Sequence, residues 1–311
     1  MQAVDQLIGM HMQSAVSTIP LLAGHLVASG GKRIRPLICL SVAHMLGIQG
    51  KHHVTLAACV EFIHTATLLH DDVVDESFLR RGKASANALW GNKASVLVGD
   101  FLFSRAFELM VEMQSLPVLG VLSAASSRIA EGEVMQLMSL QDIAAAQTHY
   151  FQMIDAKTAK LFEASAQGAA LLAVARSEQQ KALKQYGHLL GMAFQVADDV
   201  LDYANPDATS GKTPGIDFAE GKVTLPVIYA FEKATPDEKD FWKRTFEDYD
   251  QHPDDLSTAQ DILNRTGALT QALDQAKAFA FQARAQLDLF PHSEFKQTLL
   301  DLATLSADRT C

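Results

Sequence analysis

Three carboxylates stand within five residues at Asp71-Asp72-Val73-Val74-Asp75, and the same spacing returns at Asp198-Asp199-Val200-Leu201-Asp202. On a helix Asp71 and Asp75 lie at i,i+4, and Asp72 and Asp75 at i,i+3, so each cluster crowds one face within a turn. Like charges at that spacing destabilise a bare helix, and a bound cation is the natural remedy. Donor sets made only of oxygen suit Mg²⁺, which binds through one or two carboxylates and completes its shell with water and substrate phosphate. An acidic surface turn is the simpler alternative. Apolar neighbours argue against it: Leu68, Leu69, Val73 and Val74 surround the first cluster, and Phe194, Val196 and Ala197 precede the second. The chain has 23 aspartates, and random placement yields roughly 0.1 such pattern, so two by chance have odds on the order of 1%. Two clusters facing each other, each loaded with Mg²⁺, would let an acidic protein hold a polyanion, because the metals invert the local sign.

Cations follow. Arg80-Arg81-Gly82-Lys83 trails the first cluster by one to two turns, and Gly30-Gly31-Lys32-Arg33-Ile34-Arg35-Pro36 is a glycine turn followed by three cations in four residues. Arginine suits bidentate phosphate recognition. A basic helix end and a solvated turn are the plainer readings. Lys157-Thr158 stands near Lys160 in an apolar stretch, and Lys212 and Lys222 lie in and at the end of the segment after the second cluster. Neither GxxxxGK[ST] nor GxGxxG occurs, and there is no GxSxG, HExxH or Cys/His pair at a metal spacing. Of eleven histidines, His64 lies one to two turns before the first cluster and His70 abuts it. Met135, Leu137 and Met138 read as core. The sum is metal-assisted departure of a diphosphate from an apolar substrate, with no nucleophile or redox motif.

These residues need helices to carry them. The nine prolines leave 37–116 and 118–205 proline-free, stretches of 80 and 88 residues rich in helix formers. Leu56, Cys59, Val60, Ile63, Ala66 and Thr67 recur at three and four, a helical face. Breaks are expected at Gly30-Gly31, Gly47–Gly50, Gly82, Gly91, Pro117 and across 204–222, the clearest loop. No repeat and no composition shift divides the chain, so one all-α domain over 1–311 is expected.

Composition bounds the rest. The 311 residues are 48% hydrophobic and 20% charged, which excludes disorder. The balance of 26 bases and 36 acids gives −10, a poor match to nucleic acid. Nine acids and four bases fall in 232–255, the pattern of a solvated helix face. No apolar run reaches membrane-spanning length, and the N-terminus is neither a signal nor a transit peptide. Three cysteines without a CxxC fit a reducing cytoplasm.

In sequence, LLHDDVVDESFLRRG (68–82) and FQVADDVLDY (194–203) resemble the two aspartate-rich regions of trans-isoprenyl diphosphate synthases. GGKRIRP (30–36), GDFLFSRAFELM (99–110), KTAKLFEASAQ (157–167) and EGKVTLPVIYA (220–230) match the family's other blocks in order. The chain is most similar to the bacterial long-chain polyprenyl diphosphate synthases that make octaprenyl to decaprenyl side chains of quinones. The resemblance implies a single-domain isoprenoid synthase-type helical bundle around a deep central cavity, a homodimer, and three Mg²⁺ per active site. It implies that Asp71, Asp75, Asp198 and Asp202 bind metal, with Asp72 and Asp199 assisting. Lys32, Arg35, His64 and Arg81 match positions binding isopentenyl diphosphate. Arg80, Lys157, Thr158, Gln195, Lys212 and Lys222 match those holding the allylic diphosphate. The implied mechanism is ionisation, condensation and proton loss without a dedicated protein base. Beside long-chain members the chain starts short, so the expectation is that an N-terminal helix is missing or has been trimmed, and no function is carried onto the C-terminal ADRTC with its Arg309.

Counting back from Asp71 along the helix, Thr67 and Ala66 lie one turn deeper, then Ile63. In the family a bulky aromatic four or five residues before the first cluster stops growth; here those positions are small, so a long product is expected. Ala66→Phe should shorten it. Two residues separate the acids of the first cluster where bacterial farnesyl-type enzymes carry four. The rivals are a shorter-chain geranylgeranyl or farnesyl synthase, a class I terpene cyclase, whose second motif mixes Asn, Ser or Thr with Glu, and a non-catalytic subunit of a heteromeric synthase, which would lack motif aspartates or arginines. A cytoplasmic enzyme touching the membrane peripherally to release product is expected.

Overall fold

Helix formers and three-four periodicity give what they predict. In the computed structural model, which describes residues 1–28, 31–80, 83–138, 143, 146–204 and 215–308, nearly everything is helical. The helices are α1 Gln2–His11, α2 Thr18–Ala28, α3 Ile34–Met45, α4 His52–Val74, α5 Ala86–Trp90, α6 Asn92–Glu112, α7 Leu116–Met138, α8 Ala146–Ile154, α9 Lys160–Leu172, α10 Ser177–Ala204, α11 Ile216–Ala219, α12 Leu225–Glu232, α13 Pro236–Phe246, α14 Asp255–Thr266, α15 Ala268–Ala285 and α16 Glu294–Ala307. Among the described residues the only strands are β1 Leu79–Arg80 and β2 Lys83–Ala84, antiparallel, with Leu79 opposite Ala84 and Arg80 opposite Lys83.

The expected breaks hold where they are described. Gly47 and Gly50, at φ 70° and 88°, separate α3 from α4, and Gly91, at φ 80°, separates α5 from α6. Pro117 sits in the first turn of α7, where a missing N–H costs nothing. The stretch after the second acid cluster is not all loop: α11 forms within it, and 205–214 lies outside the described residues, as do Gly30 and Gly82. Arg80 stands on a strand rather than a basic helix end.

The chain divides into two compact units: residues 1–126, 161–187 and 289–299, and residues 127–160, 188–288 and 300–311. In the first, α4 packs against α6 along most of its length. The approach is close: the Cys59 thiol donates to the Ala106 carbonyl at 3.4 Å and the Ser95 hydroxyl to the Leu69 carbonyl at 3.1 Å. At Gly99 a Cβ would stand 2.3 Å from the His70 ring, so a larger residue at that crossing would displace the ring. In the second unit, Trp242 and Phe246 of α13 and Phe218 of α11 form an aromatic core with Ala272, Ala276 and Ala280 of α15. The acidic stretch 232–255 is mostly exposed, as expected, and opens with a Thr235–Glu238 capping box. Asp255 departs from that face: it is buried and receives both arms of Arg244 at 2.8 and 2.9 Å. Leu137 is 55% exposed and Met135 half-buried, so they are not core as α7 lies in the chain.

Candidate active site

Both acid clusters fall on the last turn of a helix. Asp71 to Asp75 close α4, and Asp198 to Asp202 sit just before the end of α10. The first ending is fixed by backbone bonds: Asp75 N–H reaches the Asp71 carbonyl at 2.8 Å, and Ser77 N–H reaches that of Asp72 at 3.0 Å, with Glu76 in the left-handed region at φ 50°. A helix C-terminus carries the negative end of the macrodipole, so acids there are unfavourable unless a cation answers them.

Within each cluster the middle aspartate is held by the protein. Asp72 is 1% exposed and takes a bidentate pair from Arg80, Nη2 to Oδ1 at 2.6 Å and Nε to Oδ2 at 3.0 Å. The Asn87 amide donates to its carbonyl at 2.9 Å. Such a pair is broken at a cost of about 3–5 kcal/mol when one partner is removed. Asp199, 4% exposed, accepts the Tyr150 hydroxyl on Oδ2 at 2.5 Å and the Gln195 amide on Oδ1 at 2.7 Å. Gln195 in turn accepts the Thr158 hydroxyl at 2.8 Å. Burial pushes the Asp199 carboxyl up to about 7, and the charges of Asp198 and Asp202 add to that, against the two hydrogen bonds. The outer aspartates, Asp71, Asp75, Asp198 and Asp202, are half-buried. The three acids of a cluster therefore do not share one environment. The spacing alone had put them on one face.

Asp217 is a member that the spacing did not reveal. Its backbone N–H donates to Asp202 Oδ2 at 2.9 Å. Burial raises its carboxyl well above the ordinary range, and the charges of Asp199 and Asp202 raise it further while Lys222 opposes them. Lys222 is pinned there: its N–H reaches the Asp217 carbonyl at 2.8 Å, and its Nζ meets Glu220 at 2.6 Å.

Lys157 and Thr158 do not lie on a regular helix. Asp155–Ala159 is a π-helical turn between α8 and α9, a rare insertion that recurs at functional positions. Gly132 on α7 lets the turn approach; a Cβ there would stand 2.9 Å from Ala156 Cβ and 3.1 Å from Lys157 N. Lys157 Nζ donates to Glu133 at 2.7 Å and to Gln136 at 3.0 Å. Glu133, Gln136 and Tyr150 have no sequence signature, because their role depends on elements more than twenty residues away in the chain from the groups they hold.

Also in the first unit, Arg35 lies with its guanidinium 4.5 Å over the Phe162 ring, and burial lowers it to about 10. Lys32 is exposed just ahead of α3, and His64 is half-buried on α4, its carbonyl accepting the Thr67 hydroxyl at 2.9 Å. Ile63 and Ala66 are fully buried. Arg81, Lys212 and Arg309 lie outside the described residues.

Oxygen donors on half-buried outer aspartates, at helix ends that repel them, suit a hard divalent cation. Comparison with known proteins agrees. The Polyprenyl synthetase family model matches residues 17–263. Octaprenyl diphosphate synthase of Escherichia coli (strain K12) is 44% identical over 99% of this chain and 95% of its own length. A polyprenyl synthase from Caulobacter crescentus CB15, solved in complex with calcium and isoprenyl diphosphate, superposes with a TM-score of 0.95 at 48% identity, covering 98% of this chain and 93% of that one. A decaprenyl diphosphate synthase from Rhodobacter capsulatus gives 0.94 and 45%, covering 99% and 95%. On these matches and on its all-helical fold with two acid-bearing helix ends, the chain belongs to the polyprenyl synthetase family.

Proposed function

We propose that this chain is a Mg²⁺-dependent prenyltransferase that condenses isopentenyl diphosphate onto an allylic diphosphate, farnesyl or geranylgeranyl, to build a long all-trans polyprenyl diphosphate for quinone side chains. The observation that carries the reading is the arrangement of the acids: middle aspartates locked to protein partners, outer ones at the negative ends of helices. Asp71, Asp75, Asp198 and Asp202 would hold three Mg²⁺. Bound there, the metal supplies charge to the leaving diphosphate. Arg80 and Tyr150 hold Asp72 and Asp199 in place beside it, and Asp217 sets the Asp202 carboxylate through its own N–H. Lys157, Thr158, Gln195, Lys212 and Lys222 bind the allylic diphosphate as it departs, and Arg80 adds charge beside it. Lys32, Arg35, His64 and Arg81 bind isopentenyl diphosphate, whose double bond attacks the allylic carbon. The proton then leaves to the departed diphosphate, so the protein supplies charge, orientation and a dry wall rather than a base.

We take the face of α4 formed by the small Ala66, the buried Ile63 and the half-buried Thr67 as the path of a long tail, and relatives with octaprenyl and decaprenyl names agree with that length. We take the two units to act as one catalytic domain over 1–311, in a homodimer. No helix among the described residues is long and apolar enough to cross a membrane; we propose a cytoplasmic enzyme that meets the bilayer peripherally when product leaves. The test is incubation with farnesyl diphosphate, labelled isopentenyl diphosphate and Mg²⁺, then dephosphorylation and mass analysis. A ladder ending at about eight to ten isoprene units is expected for a long-chain member. No elongation would sink the reading.

A further inference from the structure

One buried acid of the first unit has no part in the reading above. Glu61 is 6% exposed on α4, three residues before His64, and an isolated buried carboxylate is costly unless it is paired. Its partner is Arg33 Nη1, in direct contact with Oε2. Arg33 also reaches Asp5 of α1 at 3.8 Å. Arg33 adopts φ 48° and ψ 34° at the start of α3, a conformation that a side chain of its size takes at a cost of about 1 kcal/mol or more. Strain of that kind persists only where the surroundings impose it, and the Glu61 pair is what the surroundings offer. Arg35, two residues on, lies in the field of the same carboxylate and is set against Phe162, with its Nε buried and without a hydrogen-bond partner. Of the three cations in Lys32-Arg33-Ile34-Arg35, one is therefore committed to α4. It divides the other two: Lys32 is left exposed before it, and Arg35 is turned inward after it.

We infer that Glu61 is a positioning residue for diphosphate capture, acting through Arg33 to hold the turn that presents Lys32 and Arg35 to isopentenyl diphosphate. The inference rests on the proposed assignment of that turn to isopentenyl diphosphate and adds to it the device that shapes it. Arg33 itself is a strut, not a ligand. The carboxylate also offsets part of the positive charge gathered at the turn, so that two arginines and a lysine can stand together before any diphosphate arrives.

The experiment compares the full-length protein with Glu61→Gln, Arg33→Met and the double variant. Binding of isopentenyl diphosphate alone is measured by calorimetry, and KM for each substrate and kcat by elongation. Each single variant is expected to weaken isopentenyl diphosphate binding by roughly 10- to 100-fold, the scale of a small misplacement, with KM for the allylic diphosphate unmoved. The double variant should be no worse than the worse single, the sign of two residues acting as one. Arg33→Met, at a side chain 21% exposed that keeps its apolar stem, keeps the test open if Glu61→Gln does not fold. Unchanged isopentenyl diphosphate binding in Arg33→Met overturns the inference. So does a parallel rise in both KM values with a fall in melting temperature, which would mark a merely structural pair. A wild-type protein that binds no isopentenyl diphosphate overturns the substrate assignment instead, and this inference with it.

Discussion

The middle aspartates, Asp72 and Asp199, differ from their neighbours in what already holds them. Arg80 neutralises one; Tyr150 and Gln195 satisfy the other without neutralising it. Partners of this kind orient a metal-bearing cluster, and their loss typically costs 10- to 100-fold in metal affinity. Tyr150→Phe removes one donor from a buried carboxylate, so the Mg²⁺ concentration at half-maximal elongation should rise by about tenfold, with little change at saturating metal. A titration of rate against Mg²⁺ checks it. A second residue-scale effect concerns pH. His53, buried on the first turn of α4, has no hydrogen-bond partner at Nδ1 and lies 4.9 Å from the His44 ring of α3. Burial, then the neighbouring His44, lowers it from its ordinary 6.5. The unfolded chain then takes up a proton near that value where the folded one does not. Stability is full above 6.5 and is lost as pH falls towards the lowered folded value. The melting temperature should drop between about pH 7.5 and 5.5, and His53→Phe should flatten the drop. The two acid clusters stood out from spacing, and the cations were assigned by resemblance. Their partners were not legible, since Tyr150 is 49 residues from Asp199 and Glu61 is 28 from Arg33.

Helix ends are what give the acids their charge problem, and the element scale is where the sequence read best. Proline gaps and the 56–69 periodicity foretold α4, and Gly91 marked the start of α6. Two local features escaped. The π turn at Asp155–Ala159 arises because Gly132 admits it, a close approach that no period in the sequence reports. The two-residue strands around 79–84 carry no alternation long enough to read. Both bear on candidate residues, since one carries Lys157 and the other brings Arg80 back to Asp72. Along α4, the face behind Asp71 runs through Thr67, Ala66 and Ile63, with Ala66 and Ile63 fully buried. A growing prenyl tail that follows this face meets a methyl group at 66. Ala66→Phe adds a ring one turn from the acids, so products should shorten by several isoprene units while the first condensation continues. Mass analysis of the dephosphorylated products reads the length; an unchanged ladder would remove this face of α4 from the path.

At the scale of the whole molecule, charge and apolar surface point to different partners. A net charge of −10 discourages polyanions that come without metal. The apolar surface is more specific. On α6, Leu97 and Val111 are each 67% exposed and Phe107 is 41% exposed, at spacings that put them along one face, with Phe103 edge-on to Phe107 at 5.3 Å. The opposite face of α6 is the one buried against α4, so this helix is apolar on both sides, which a helix with one face in water does not need. A second copy of the chain offers the same stripe, and a two-fold pairing buries it against itself. The stable form should therefore sediment at about twice 33.8 kDa. Replacing Leu97 and Val111 together by glutamate sets like charges against each other across such a pairing and should yield a folded species at the monomer mass. A wild-type chain that sediments as a monomer at micromolar concentration would mean that α6 keeps its second apolar face for something other than its own copy.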